Sequence, residues 1–175
     1  MGFETLKDLY LDELATLYDA ELQVSRTLPR LSEAAHSQEL RDTLAKHGRD
    51  SRFHVERIEL IFTHWGERRP LRTSAGLAGI VQEADERLNQ ETTPDARDTA
   101  IIGIAQRIAH YEIAAYGTAR ICSLRLNRCD EARLLQETLD DEGRADNRLS
   151  TIANLTTPRF AASFDATPAP PADSR

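Results

Sequence analysis

Little in this chain could build a sheet, span a bilayer or grip a nucleic acid. Strand signals are absent, and only 6% of the residues are aromatic. Helical periodicity runs almost throughout instead. No apolar run approaches the roughly 20 residues needed to cross a membrane. The 22 Lys and Arg residues are outnumbered by 29 Asp and Glu, giving a net charge of −7, and they form no dense run, which argues against nucleic acid as a partner. The two cysteines, Cys122 and Cys129, make neither a disulfide framework nor a metal-ligand pattern, so a reducing cytoplasm is the expected compartment. The opening MGFETLKDLYLDE is too acidic and too periodic for a signal peptide. What remains is an all-helical reading of a 175-residue chain, long enough for one domain with a real core.

The periodicity divides into segments. Tyr10, Leu14, Leu17, Glu21, Val24, Leu28 and Leu31 recur at steps of three and four across about residues 4–35, which keeps one face toward a partner helix. Pro29 interrupts this pattern and predicts a kink near the helix end. A short break at 37–39 precedes Leu40, Leu44, His47, His54, Ile58, Ile61 and Trp65, with Gly66 and Pro70 as stop signals. A shorter helix over 75–91 reads as a crossover. Thr93-Pro94-Asp95 is a strong helix start, and the third long helix then runs to about Leu126. After a turn at 127–130 a fourth follows, marked by Leu135, Leu139, Glu142, Asp146, Leu149 and Ala153. The expected fold is a four-helix bundle over residues 1–157, with one crossover connection and a short extra helix. The Pro/Ala-rich tail, 158–175, is expected to be disordered.

Against that frame several acids stand on the apolar seams. Glu112 lies between Ile108 and Ala115, Glu21 between Leu17 and Val24, and Glu142 and Asp146 between Leu139 and Leu149. The second helix puts His47 and His54 on its seam, with Asp50 beside them. From Glu21 to Asp50 and His54 the separations are 29 and 33 residues, and from Glu112 to Glu142 and Asp146 they are 30 and 34. Equal distances either side of a hairpin turn mean equal height, so these residues should meet at one level. A single seam Glu is ordinarily a flank residue or a hydrogen-bond partner of Tyr. Four or five carboxylates at one level are too costly to bury unpaired and point to a dinuclear metal centre. The predicted ligands are Glu21, Asp50, His54, Glu112, Glu142 and Asp146, with Glu21 and Glu112 bridging. Oxygen-rich ligation with some imidazole suits iron first, with manganese or zinc as alternatives.

The segments LKDLYLDELATLYDAELQ, LPRLSEAAHSQEL, HVERIELIF, IAHYEIAAYGT and LLQETLDDE, and HYEIAAYG above all, resemble the bacterial YciE/YciF-type ferritin-like family from about Leu6 to Leu155. That resemblance implies a ferritin-like bundle, dimerisation, a dimetal centre and a link to stress responses. It carries Glu21, His54, Glu112 and Glu142 onto the family's motif positions. The chain departs from the pattern at HGRDSRF, where Asp50 is the only acid, and at Ala109, where an acid often precedes HYE. The functional expectation is a cytoplasmic, homodimeric dimetal protein handling iron or peroxide, ferroxidase-like or peroxide-consuming, with O₂ or peroxide as co-reactant. The competing expectation is a metal-free helical dimer serving as a stress-associated scaffold.

Overall fold

The computed structural model describes residues 3–156; the tail expected to be disordered lies outside them. Its helices are α1 (Leu6–Ala34), α2 (Gln38–Trp65), α3 (Ala75–Leu88), α4 (Pro94–Arg125) and α5 (Cys129–Thr156), with no strand among the described residues. Each boundary has a local cause. Thr5 and Asp8 form a reciprocal capping box at the start of α1. Ser37 and Thr93 cap α2 and α4 through their hydroxyls, and Pro94 occupies the first turn of α4. Gly66 ends α2 in the left-handed conformation at φ 62°, which a Cβ would strain. Pro29 does not end α1, which continues to Ala34.

The cross-helix contacts set the topology. Tyr18 meets Glu59 and Ser32 meets Arg41, so α1 and α2 are antiparallel. Gln106 reaches Asp146 and Ser150, so α4 and α5 are too. Glu21 touches Tyr116 while the backbone of His36 and Ser37 donates to Asp98, which sets α1 against α4. Arg148 pairs with Glu39 and Trp65 with Glu131, which sets α5 against α2. Hence α2 and α4 run the same way on one diagonal, and the chain from 66 to 93 must travel back along the bundle. This is the ferritin-like arrangement with one crossover. The crossover helix α3 packs on α1 and α4, burying Leu77 and Ala84. Because α4 meets α1, α5 and α3, apolar and small residues spread over most of its surface.

Two apolar clusters fill the bundle. One, toward the α1–α2 turn, contains Val24, Leu28, Leu44, Ile108 and Leu149. The other contains Leu14, Leu17, Ile58, Tyr116 and Leu135. On every long helix the chain passes from one cluster to the other across a single polar stretch: Glu21, His47 to His54, Glu112 and Glu142.

Candidate metal centre

These stretches converge. Glu21, His54, Glu112 and Glu142 are completely buried and His47 is 3% exposed. The side-chain Nδ1 of His54 lies 3.1 Å from Glu21 Oε1 and 3.4 Å from Glu142 Oε1. His47 Nε2 lies 2.8 Å from Glu142 Oε2 and 3.8 Å from Glu112 Oε2. The ligand atoms form two groups, Glu21–His54–Glu142 and His47–Glu112–Glu142, each spanning no more than 4.8 Å. Glu142 belongs to both, so the residue common to the groups comes from α5 rather than from α1 or α4, where Glu21 and Glu112 were expected to bridge.

The centre is under-satisfied. Glu21 Oε2, both oxygens of Glu112, Glu142 Oε1 and His47 Nδ1 are buried without a hydrogen-bond partner. Burial drives the Glu112 carboxyl well above its ordinary range, and the neighbouring Glu142 and Glu21 drive it further. Burial alone would push His47 and His54 down. The carboxylates of Glu142 and Glu21 outweigh it, and both imidazoles end above their ordinary value. Tyr116 donates to Glu21 Oε1 at 2.6 Å, and its own proton is held tightly by burial and by that carboxylate.

A supporting layer lies outside. His54 Nε2 is 3.4 Å from Asp141 Oδ2, which accepts from Arg57 at 2.9 Å, while Arg144 pairs with the other oxygen. Burial would raise the Asp141 carboxyl, but those guanidinium hydrogen bonds hold it below its ordinary value. An ionised acid there fixes the His54 ring with Nδ1 turned toward Glu21 and Glu142.

Two predicted ligands fall outside both groups. Asp50 pairs with Lys46 on the outer side of α2, because it stands about 50° around the helix from the line through His47 and His54. Asp146 accepts from Gln106 at 3.2 Å and faces the exposed His110 at 3.4 Å. It lies one turn beyond Glu142, on the α4 side of α5. His47, left out of the predicted ligand set, takes the place expected for Asp50. Its signal was the seam itself, since His47 and His54 are seven residues apart and share a face. Asp141 had no comparable signal, being a flank residue indistinguishable from solvent-facing acids.

Fold and site together define a ferritin-like helical protein whose bundle centre carries carboxylate and imidazole groups able to hold metal. The chain belongs to the family described as Domain of unknown function (DUF892), matched over residues 5–162. Protein YciF of Escherichia coli (strain K12) is 30% identical over 154 residues, 87% of this chain and 93% of that protein. The solved structure of the E. coli stress protein YciF superposes with a TM-score of 0.84 at 29% identity, covering 88% of this chain and 98% of that one. A Rhodopseudomonas palustris protein, YcfI, gives 0.81 at 32% identity, covering 85% and 94%. A two-domain protein from Anabaena variabilis, with DJ-1/ThiJ/PfpI-like and ferritin-like domains, matches at 0.59 and 14% identity over 99% of this chain and 43% of its own, a likeness of fold alone. No described helix is long and apolar enough to cross a membrane.

Proposed function

We propose that this chain is a dimetal-carboxylate protein that handles iron or peroxide in a stress response. One ion would be held by Glu21, His54 and Glu142, and the other by His47, Glu112 and Glu142. The observation that carries the reading is the set of buried ligand atoms without a hydrogen bond at one level of the bundle. Three carboxylates and two imidazoles match the preferences of iron or manganese, with zinc as a competitor. Iron or manganese, if bound there, would supply redox chemistry toward O₂ or peroxide, which zinc would not. The protein's part is positional. The two apolar clusters keep water from the centre on either side, Tyr116 fixes Glu21, and Asp141 with Arg57 fixes His54.

The similarity to a stress protein supports the stress-response assignment; the cytoplasmic location rests on the absence of a disulfide framework, and the homodimer on the family resemblance alone. The short helix α3 adds nothing to the case for a dimer, since its Leu77 is buried within the chain and Ile80 and Val81 pack on the core.

A metal-free scaffold has its own support in the two imidazole–carboxylate pairs, His47–Glu142 and His54–Glu21. It leaves both oxygens of Glu112 unexplained. The deciding measurement is metal analysis after purification without chelator and after reconstitution with Fe(II), Mn(II) or Zn(II). About two ions per chain are expected. No uptake of any of the three would leave the scaffold reading.

A further inference from the structure

A fully enclosed centre needs a way in, and the four interfaces between neighbouring long helices are not equivalent. The α1–α2 and α4–α5 pairs are closed by short turns, and α3 covers the α1–α4 face. The α2–α5 face has neither. A groove of about 680 Å³ opens there. Its walls carry Lys46, Asp50, Asp141, Arg144 and Ala145, and its most buried wall residue is His47, a member of the central cluster. Cavities elsewhere, beside Leu31 and Ala84 and beside His64 and Arg128, touch none of the cluster.

We propose that the α2–α5 groove is the passage by which divalent transition-metal ions reach the buried centre, with Asp50 a transient ligand on its wall. The proposal rests on the dimetal reading above. Asp50 keeps 26% of its side chain exposed and lies between His47 and His54 along α2. Its partner Lys46 is 67% exposed, and such surface pairs are weak enough for a divalent cation to displace. The other groove cations are already committed, Arg144 to Asp141 and Arg148 to Glu39 at 2.6 Å, so they do not repel an incoming ion in full. The His47 imidazole stands between groove and centre. Its Nε2 faces Glu142 at 2.8 Å and Glu112 at 3.8 Å, but its Nδ1 is buried with no hydrogen-bond partner, so a single hydrogen bond, to Glu142, is what a turning ring must break.

Passage and residence differ thermodynamically. A passage residue changes association and dissociation by the same factor and leaves Kd alone, whereas a resident ligand changes Kd. The test is stopped-flow binding of Co(II) to the full metal-free chain, followed by its visible absorption, with dissociation read in a chelator chase. Ala145→Phe narrows the groove without altering charge and should slow both rates by about tenfold, with Kd within twofold. Asp50→Asn, a surface change with little risk to folding, should slow both by about three- to tenfold, an effect that shrinks at high salt. Lys46→Met frees Asp50 and should speed both. Glu83→Gln, which removes an exposed acid paired with Arg107 on the far side, should change neither. Wild-type uptake with rates unaltered by both Ala145→Phe and Asp50→Asn would overturn the passage. A Kd raised tenfold or more by Asp50→Asn would make Asp50 a resident ligand and overturn its transient role. No Co(II) uptake by the wild type would instead defeat the dimetal reading, and the passage with it.

Discussion

Glu131 and Glu112 are both buried carboxylates in this bundle, and their surroundings could hardly differ more. Glu131, 3% exposed, accepts from Tyr10 Oη at 2.9 Å and from Trp65 Nε1 at 3.0 Å through one oxygen. Arg128 Nε stands 2.9 Å from the other, close enough for an ion pair though off the hydrogen-bond line, and its guanidinium lies over Trp65. Each oxygen of that carboxylate meets a hydrogen-bond donor or an opposite charge. Glu112 has no hydrogen-bond donor at either oxygen, its imidazole neighbour His47 stands off at 3.8 Å, and after burial the strongest influences on its proton are two further carboxylates. Buried acids in proteins are paired or coordinate metals. The first site is complete as it stands; the second leaves its oxygens unanswered, which is the ground for the dimetal proposal.

The contrast is broken or sharpened most strongly by matched substitutions in the metal-free protein. Glu131→Gln removes the ion pair and turns a donor toward Arg128, and should lower stability by about 1–3 kcal/mol, a drop of several degrees in Tm. Glu112→Gln relieves repulsion among clustered carboxylates and should leave the metal-free protein unchanged or more stable by about 1 kcal/mol, while abolishing any metal-induced rise in Tm. Thermal melts with and without Fe(II) read both. Losses of similar size at the two positions would mean that Glu112 is a structural residue like Glu131.

Next in size is the dependence on pH. In the folded state Glu112 holds its proton above the ordinary 4.5, and His47 and His54 hold theirs above 6.5. The folded protein then binds protons that the unfolded chain has released, so stability falls as pH rises. These contributions are complete below the ordinary values and are lost as pH climbs through the folded ones. Asp141 runs the other way: held below 3.8, it stabilises above that value and loses its effect in acid. Melting of the metal-free protein should therefore weaken from about pH 5 to pH 8, against the usual acid-side trend. Metal displaces the same protons, so its stabilisation should grow over that interval. A flat profile in wild type, or one unchanged by Glu112→Gln, would remove the clustered carboxylates from the account.

The same contrast explains how much the sequence could reveal. The end of α2 and the start of α4 were legible because Gly66 and Thr93-Pro94 act locally, through a φ angle and a hydrogen bond within one turn of chain, whereas the caps at Thr5 and Ser37 came only with the structure. The height of the site was legible because two short hairpin turns fix it: Glu21 and His54 are equidistant from the first, Glu112 and Glu142 from the second. The rotation of each side chain about its helix was less so. Asp50 has nearly the right height and the wrong azimuth, and His47 has both right but was not grouped with the acids. Glu131 carries no signal at all, because its donors come from Tyr10 and Trp65, far away in the chain.

Asp146 offers the smallest effect and a clean check on that limit. It stands one turn from Glu142, close enough in sequence to read as a second ligand from α5. In the folded chain the turn carries it past the seam, where Gln106 donates to one of its oxygens and the 65%-exposed His110 lies near the same atom. Asp146→Asn keeps the shape and an acceptor for Gln106 while removing the charge. Its effect on stability should be within about 0.5 kcal/mol, as for most partly exposed pairs. Metal affinity, measured by competition against a chromophoric chelator, should change less than threefold, since only a remote charge is lost across a partly screened distance. A tenfold loss would place Asp146 at the metal after all, and would require α5 to turn about its axis when the ions bind.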